Sequence, residues 1–123
     1  MIRGAVSGRL EASIPLRFRG PDGNEADVAA LIDTGFTEAT TLPMSIIVAL
    51  GLIRQISGQA RLADGSLRQF DIYSAEVSWD GTWRPVLVSV VGHETLLGMR
   101  LLEGHELRIQ VVPGGAVRIS PLP

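Results

Sequence analysis

Apolar and polar residues alternate with a period of two along much of this chain, the pattern of strands with one covered face. Ala5–Leu10 and Ala12–Arg19 alternate in this way, and Pro21-Asp22-Gly23 follows as a turn signal. Ala26–Ile32 is almost continuously apolar, which predicts a strand buried on both faces. Thr40-Thr41-Leu42-Pro43 predicts a short extended piece closed by proline. Pro43 suits the start of a helix over Met44–Leu50, which Gly51 would stop.

Two Asp-Gly turns between β-rich runs predict hairpins. The first, at Asp64-Gly65, joins Gln59–Leu62 to Leu67–Ile72; the second, at Asp80-Gly81, joins Tyr73–Trp79 to Thr82–Val91. Phe70 and Ile72 share one face of the long middle strand, while Tyr73, Ala75, Val77 and Trp79 share the other, so a bend or bulge is expected near Ile72-Tyr73. Thr95–Leu102 reads as a short helix, and Leu107–Val112 and Ala116–Ile119 as a final hairpin around Pro113-Gly114-Gly115. Residues 1–123 therefore predict a single all-β domain with one or two short helices.

Composition narrows the chemistry. All eleven basic residues are Arg, which removes lysine Schiff bases and the P-loop lysine. There is no Cys, so thiol nucleophiles, disulfides and cysteine zinc sites are excluded. Net charge is −2 and no basic run stands out, which argues against nucleic acid as the main partner. His93 and His105 lack ligand spacing, so neither a metal nor another cofactor is expected. Trp79 and Trp83 flank the second turn and are expected to pack across strands. No apolar stretch has membrane-span length and no signal pattern opens the chain. The expected location is cytoplasmic, unless the chain was cut from a larger anchored protein.

Asp33-Thr34-Gly35 ends the apolar run and occurs once. A carboxylate at the end of a buried strand costs free energy unless it has partners or a task. A turn in which Asp33 caps the loop and Gly35 supplies a positive φ explains the tripeptide equally well. If Asp33 is instead half of an acid–base pair, its counterpart must come from a second copy of the chain.

The wider context favours the pair. Leu31-Ile32-Asp33-Thr34-Gly35, the hairpin around Asp64-Gly65, and Leu96-Leu97-Gly98-Met99-Arg100-Leu101-Leu102 follow one another in an order and spacing covering roughly Ala26–Leu107. In these pieces the sequence resembles the retropepsin family of aspartic peptidases, in its bacterial single-domain branch. The resemblance implies a half-barrel with a flap hairpin. It also implies a homodimeric endopeptidase acting on peptide or protein substrates, with Asp33 of each copy meeting on the two-fold axis. One carboxylate would activate water and the other would hydrogen-bond the scissile carbonyl. Thr34 would brace the loops across the dimer, and Gly35 would leave room for substrate. Phe36, Thr37, the flap-tip residues Ala63, Asp64, Gly65 and Ser66, and Leu96 would contact substrate, with Leu97 in the core.

The chain departs from the viral pattern in its polar flap tip at Asp64, and at Met99, where many viral members have Arg. Arg100 paired with Glu38 or Glu103 is the expected substitute. The resemblance further implies that Met1–Leu10 and Leu107–Ile119 contribute to the subunit interface, although a terminal hairpin could also block it. Two alternatives stand beside this reading: a catalytically silent dimerisation or peptide-binding module of the same fold, and a phosphoaspartyl enzyme. The latter would need a second Asp, a Lys and an α/β fold.

Overall fold

The computed structural model describes residues 1–61 and 63–123, the side chains of residues 56–58, 60, 69 and 70 excepted. Leu62, the end of the first predicted hairpin arm, lies outside the described residues, as does the side chain of Phe70. The strands are β1 (Ile2–Val6), β2 (Ala12–Arg19), β3 (Glu25–Ile32), β4 (Thr40–Thr41), β5 (Ile53–Arg61), β6 (Leu67–Trp79), β7 (Thr82–Ser89), β8 (Leu96–Leu97), β9 (His105–Ile109) and β10 (Ala116–Pro121). Helix α1 spans Met44–Leu50 and α2 spans Met99–Leu102. The fold is all-β.

Neighbouring strands run in the order β5-β6-β7-β4-β8-β3-β2-β1-β10-β9. A second edge of β6 pairs with β2 through Arg17–Ser78, Phe18–Val77 and Arg19–Glu76. That pairing closes β6-β7-β4-β8-β3-β2 into a six-stranded barrel. β5 hangs from β6 on one side, and β1, β10 and β9 extend the sheet beyond β2 on the other. Alternation places Ile14, Leu16 and Phe18 of β2 inside and Pro15 and Arg17 outside. Val77, Val88, Leu42, Leu50 and Leu97 complete the interior. Each such side chain contributes on the order of 1.5–3 kcal/mol when fully buried.

The helix over Met44–Leu50 forms as expected. Pro43 caps it at φ −68°, and Gly51 stops it in the left-handed region at φ 62° with its N–H returned to Ile47 and Val48 carbonyls. Four expectations need correction. The first strand is Ile2–Val6, not Ala5–Leu10. Ser7–Leu10 is a turn, in which the Ser7 hydroxyl accepts from the Arg9 and Glu11 N–H groups and Leu10 sits at φ 62°. β3 has one covered face only, with Glu25, Asp27 and Ala29 exposed. Alanines made the run look more apolar than the area they bury. Thr95–Leu102 is not one helix. Leu96-Leu97 pair with Leu31-Ile32 as a parallel strand, and only Met99–Leu102 coil.

Trp79 and Trp83 do not pack on each other. The β6–β7 register sets Trp79 against Thr82 and Trp83 against Ser78, which puts them on opposite faces. Trp79 is buried and its indole N–H donates to His105 Nε2 at 3.1 Å, while Trp83 lies under the Arg19 guanidinium at 4.1 Å. The phase slip at Ile72-Tyr73 is absorbed by the neighbouring strand. β6 runs on unbroken, and the β5 pairing shifts from Arg54–Tyr73 to Ile56–Ile72 with Gln55 as the extra residue.

Candidate functional site

The parallel pair β3–β8 carries Asp33 to its position. Beyond Ile32 the Asp33 N–H still donates to the Leu97 carbonyl (3.0 Å), and the Asp33 carbonyl accepts from Phe36 N–H (3.1 Å). The chain therefore turns immediately, and Asp33 Oδ1 accepts the Gly35 N–H at 3.0 Å. Asp33 is half-buried, whereas Thr34 and Gly35 are exposed. Gly35 does not have the positive φ expected of it. A Cβ there would sit 3.3 Å from Asp33 Oδ1, so its missing side chain serves close approach to the carboxylate.

Gly98 is the floor beneath this loop. Its N–H donates to the Ala39 carbonyl (2.9 Å) and Met99 N–H donates to the Phe36 carbonyl (2.8 Å). A Cβ at residue 98 would overlap the Glu38 carbonyl and fall 2.6 Å from Phe36 Cδ2. Arg100 Nε lies 3.7 Å from Glu38 Oε2, one of the two partners, Glu38 or Glu103, expected for it. Both groups are exposed, so it contributes little stability.

Two buried threonines tie the strands together. Thr40 Oγ1 donates to the Leu96 carbonyl (2.7 Å). Thr41 Oγ1 donates to the Glu94 carbonyl and accepts the Leu96 N–H, both at 2.8 Å. Sequence reasoning read these residues only as an extended piece. The usable signal was two adjacent hydroxyls in an apolar stretch before proline, where buried hydroxyls require partners.

Asp33 opens into a cleft of about 410 Å³ walled by Leu31, Leu96, Leu10 and Ile109, with Glu11 and Glu94 adding carboxylates. Leu96 is thus a wall residue and Leu97 is fully buried, as expected. Phe36 packs beneath the loop against Gly98, Thr37 is exposed, and neither lines the cleft. Ala63, Asp64, Gly65 and Ser66 stand exposed at the tip of the β5–β6 hairpin and are not among the lining residues. Asp64 and Ser66 bond each other at that tip. Asp64 Oδ1 accepts from the Ser66 hydroxyl (2.6 Å) and the Ser66 N–H (2.9 Å), which hold the carboxyl below its ordinary pKa.

Glu11 was not singled out by sequence, and nothing in the local pattern could have placed it beside Asp33. Among the described residues no three His, Cys, Asp or Glu side chains converge as a metal site. No helix among them is long and apolar enough to cross a membrane. Compared with protein-family models, curated proteins and solved structures, the chain has no match.

Proposed function

We propose that the protein is a retropepsin-like aspartic endopeptidase, active as a homodimer with one Asp33-Thr34-Gly35 loop from each copy. The observation that carries this reading is Asp33 in a tight turn at the end of β3, held on Gly98 and opening into a partly apolar cleft. A turn capped by Asp alone would not require the Gly98 close packing beneath it or the cleft in front. In the dimer, two carboxylates brought together share a proton, and their apparent pKa values belong to the pair. The ionised one takes a proton from water while the protonated one hydrogen-bonds the scissile carbonyl. Thr34, exposed beside Asp33, is free to bond across the two-fold axis. The β5–β6 hairpin is the flap.

Terminal strands β1 and β10 pair with each other within one chain through Ile2–Ile119, Arg3–Arg118, Gly4–Val117 and Ala5–Ala116. The second copy therefore docks on the loops around the cleft. The exposed apolar residues Leu10, Val111 and Val112 are 56%, 66% and 56% accessible there. A silent peptide-binding module of the same fold is the competing reading, supported by the polar tip at Asp64.

Cleavage of a mixed peptide library between about pH 3 and 8, by wild type and Asp33→Asn at several protein concentrations, decides between them. Turnover that rises steeply with concentration and falls about 10²-fold or more in Asp33→Asn is expected. A demonstrated dimer that cleaves nothing would establish the module instead.

A further inference from the structure

Several arginines in this protein have an acid beside them. Arg17 lies 2.8 Å from Asp27 and 3.7 Å from Glu25, Arg19 lies 3.0 Å from Glu76, and Arg54 lies 3.8 Å from Asp71. The outer face of the β1–β10–β9 extension instead gathers arginines beside one another. The register sets Arg3 opposite Arg118 and Arg118 opposite Arg108, so three exposed arginines stand in one row across three strands. Like charges directly opposite destabilise a sheet. At about 4.8 Å per strand, the row spans roughly 10 Å. Among the described residues Arg3 and Arg118 have no acidic partner. Arg108 bonds Glu106 through Nε at 2.8 Å, and its side chain is otherwise largely exposed.

Two further features adjoin the row. A depression of about 280 Å³ is lined by Arg108, Arg118, Gln110, Ala116 and Ile109. Gln110 Oε1 accepts the Ala116 N–H at 3.2 Å, so its amide NH₂ remains as a donor. β9 is also the last strand of the sheet, with one edge of backbone N–H and C=O groups unpaired. Ile109 borders both this depression and the Asp33 cleft.

We infer that Arg118 and Arg108 bind an extended acidic polypeptide segment lying along β9, which leads past Ile109 into the cleft, while Arg3, two strands farther in, adds only to the positive field. This deepens the peptidase reading and rests on it: the preferred substrates carry acidic residues beside the segment to be cut. Free strand-edge groups favour polypeptide over a phosphate polymer or a lipid surface, because only a backbone with its own N–H and C=O groups satisfies them. The cleft itself, lined by Glu11 and Glu94, takes the uncharged or basic part of the same chain.

The test is fluorescence anisotropy of a labelled oligoglutamate peptide with the full-length protein. It compares wild type, the Arg108→Gln/Arg118→Gln double variant, and Arg84→Gln, an exposed arginine on β7. Expected are an affinity at least about tenfold weaker in the double variant, no loss in Arg84→Gln, weakening by salt, and no binding of oligolysine. The double variant should melt no lower than wild type, because it removes like-charge repulsion. Equal binding by the double variant, an equal loss in Arg84→Gln, or binding of RNA or anionic vesicles in place of oligoglutamate would overturn the inference. Binding is read without turnover, so it fails separately from the peptidase reading, which neutral-peptide hydrolysis by wild type and Asp33→Asn tests. Where hydrolysis occurs, acidic residues added to that peptide should lower KM in wild type, leave kcat unchanged, and lose their effect on KM in the double variant.

Discussion

A methyl group at Gly98 would overlap the Glu38 carbonyl and crowd Phe36, neither of which is a flexible side-chain end that could move aside. Gly98→Ala is therefore expected to lose about 1–3 kcal/mol of stability, measurable by denaturant unfolding, and to displace the Asp33 loop. Thr41 carries a different obligation, since its buried hydroxyl both donates and accepts. Thr41→Val keeps the shape but leaves the Leu96 N–H and the Glu94 carbonyl without that partner. A loss of about 1–3 kcal/mol is expected, again by denaturant unfolding. Asp64 is an exposed case in which the Ser66 hydroxyl, then the Ser66 N–H, lowers the carboxyl pKa. A lowered folded-state value means that the stabilisation is present above the ordinary carboxylate pKa and disappears as pH falls through the lowered value. Ser66→Ala should move the Asp64 titration up toward the ordinary carboxylate range, followed by carboxyl NMR.

Elements are held by contacts that single residues do not announce. β9 meets the barrel through His105, whose Nε2 accepts the Trp79 indole N–H while its Nδ1 faces the Glu103 carbonyl at 3.0 Å. The rings meet edge to face at 5.5 Å. His105→Ala should cost about 1–3 kcal/mol, because a largely buried indole N–H loses its acceptor. A thermal melt monitored by tryptophan fluorescence checks it. Strand and turn positions were largely legible because alternation and Asp-Gly or Pro-Gly signals act locally: β2 spans the predicted residues and α1 has its predicted bounds. The extended piece at Thr40-Thr41 was legible, but β8 was hidden inside a predicted helix. Such short segments have no period of their own, and they become strands only because β3 and β7 lie beside them.

At the scale of the molecule, the terminal strands are part of one continuous sheet, with Val117 and Ile119 of β10 fully in the core. Truncation after His105 is expected to unfold the protein rather than merely separate a dimer. Loss of the cooperative melt, followed by circular dichroism, checks this; a truncated chain that melts cooperatively would show that β10 is dispensable. Under the proposed dimeric mechanism, activity per chain should fall on dilution while the melt of the monomer persists.

The sequence by itself determined what travels along the chain: the strand periodicity, the stop at Gly51, the hairpin turns and the tripeptide at Asp33. The family resemblance added Leu96 as a wall residue and Glu38 or Glu103 as the partner of Arg100. Only tertiary structure decided which distant residues face one another. The closure of β2 onto β6, the placement of Glu11 and Glu94 beside Asp33, the threonine ties to residues 94–96 and the row of three arginines all depend on register between remote strands. A shift of one residue in any of those pairings turns each side chain to the opposite face, and local composition carries no record of which register forms.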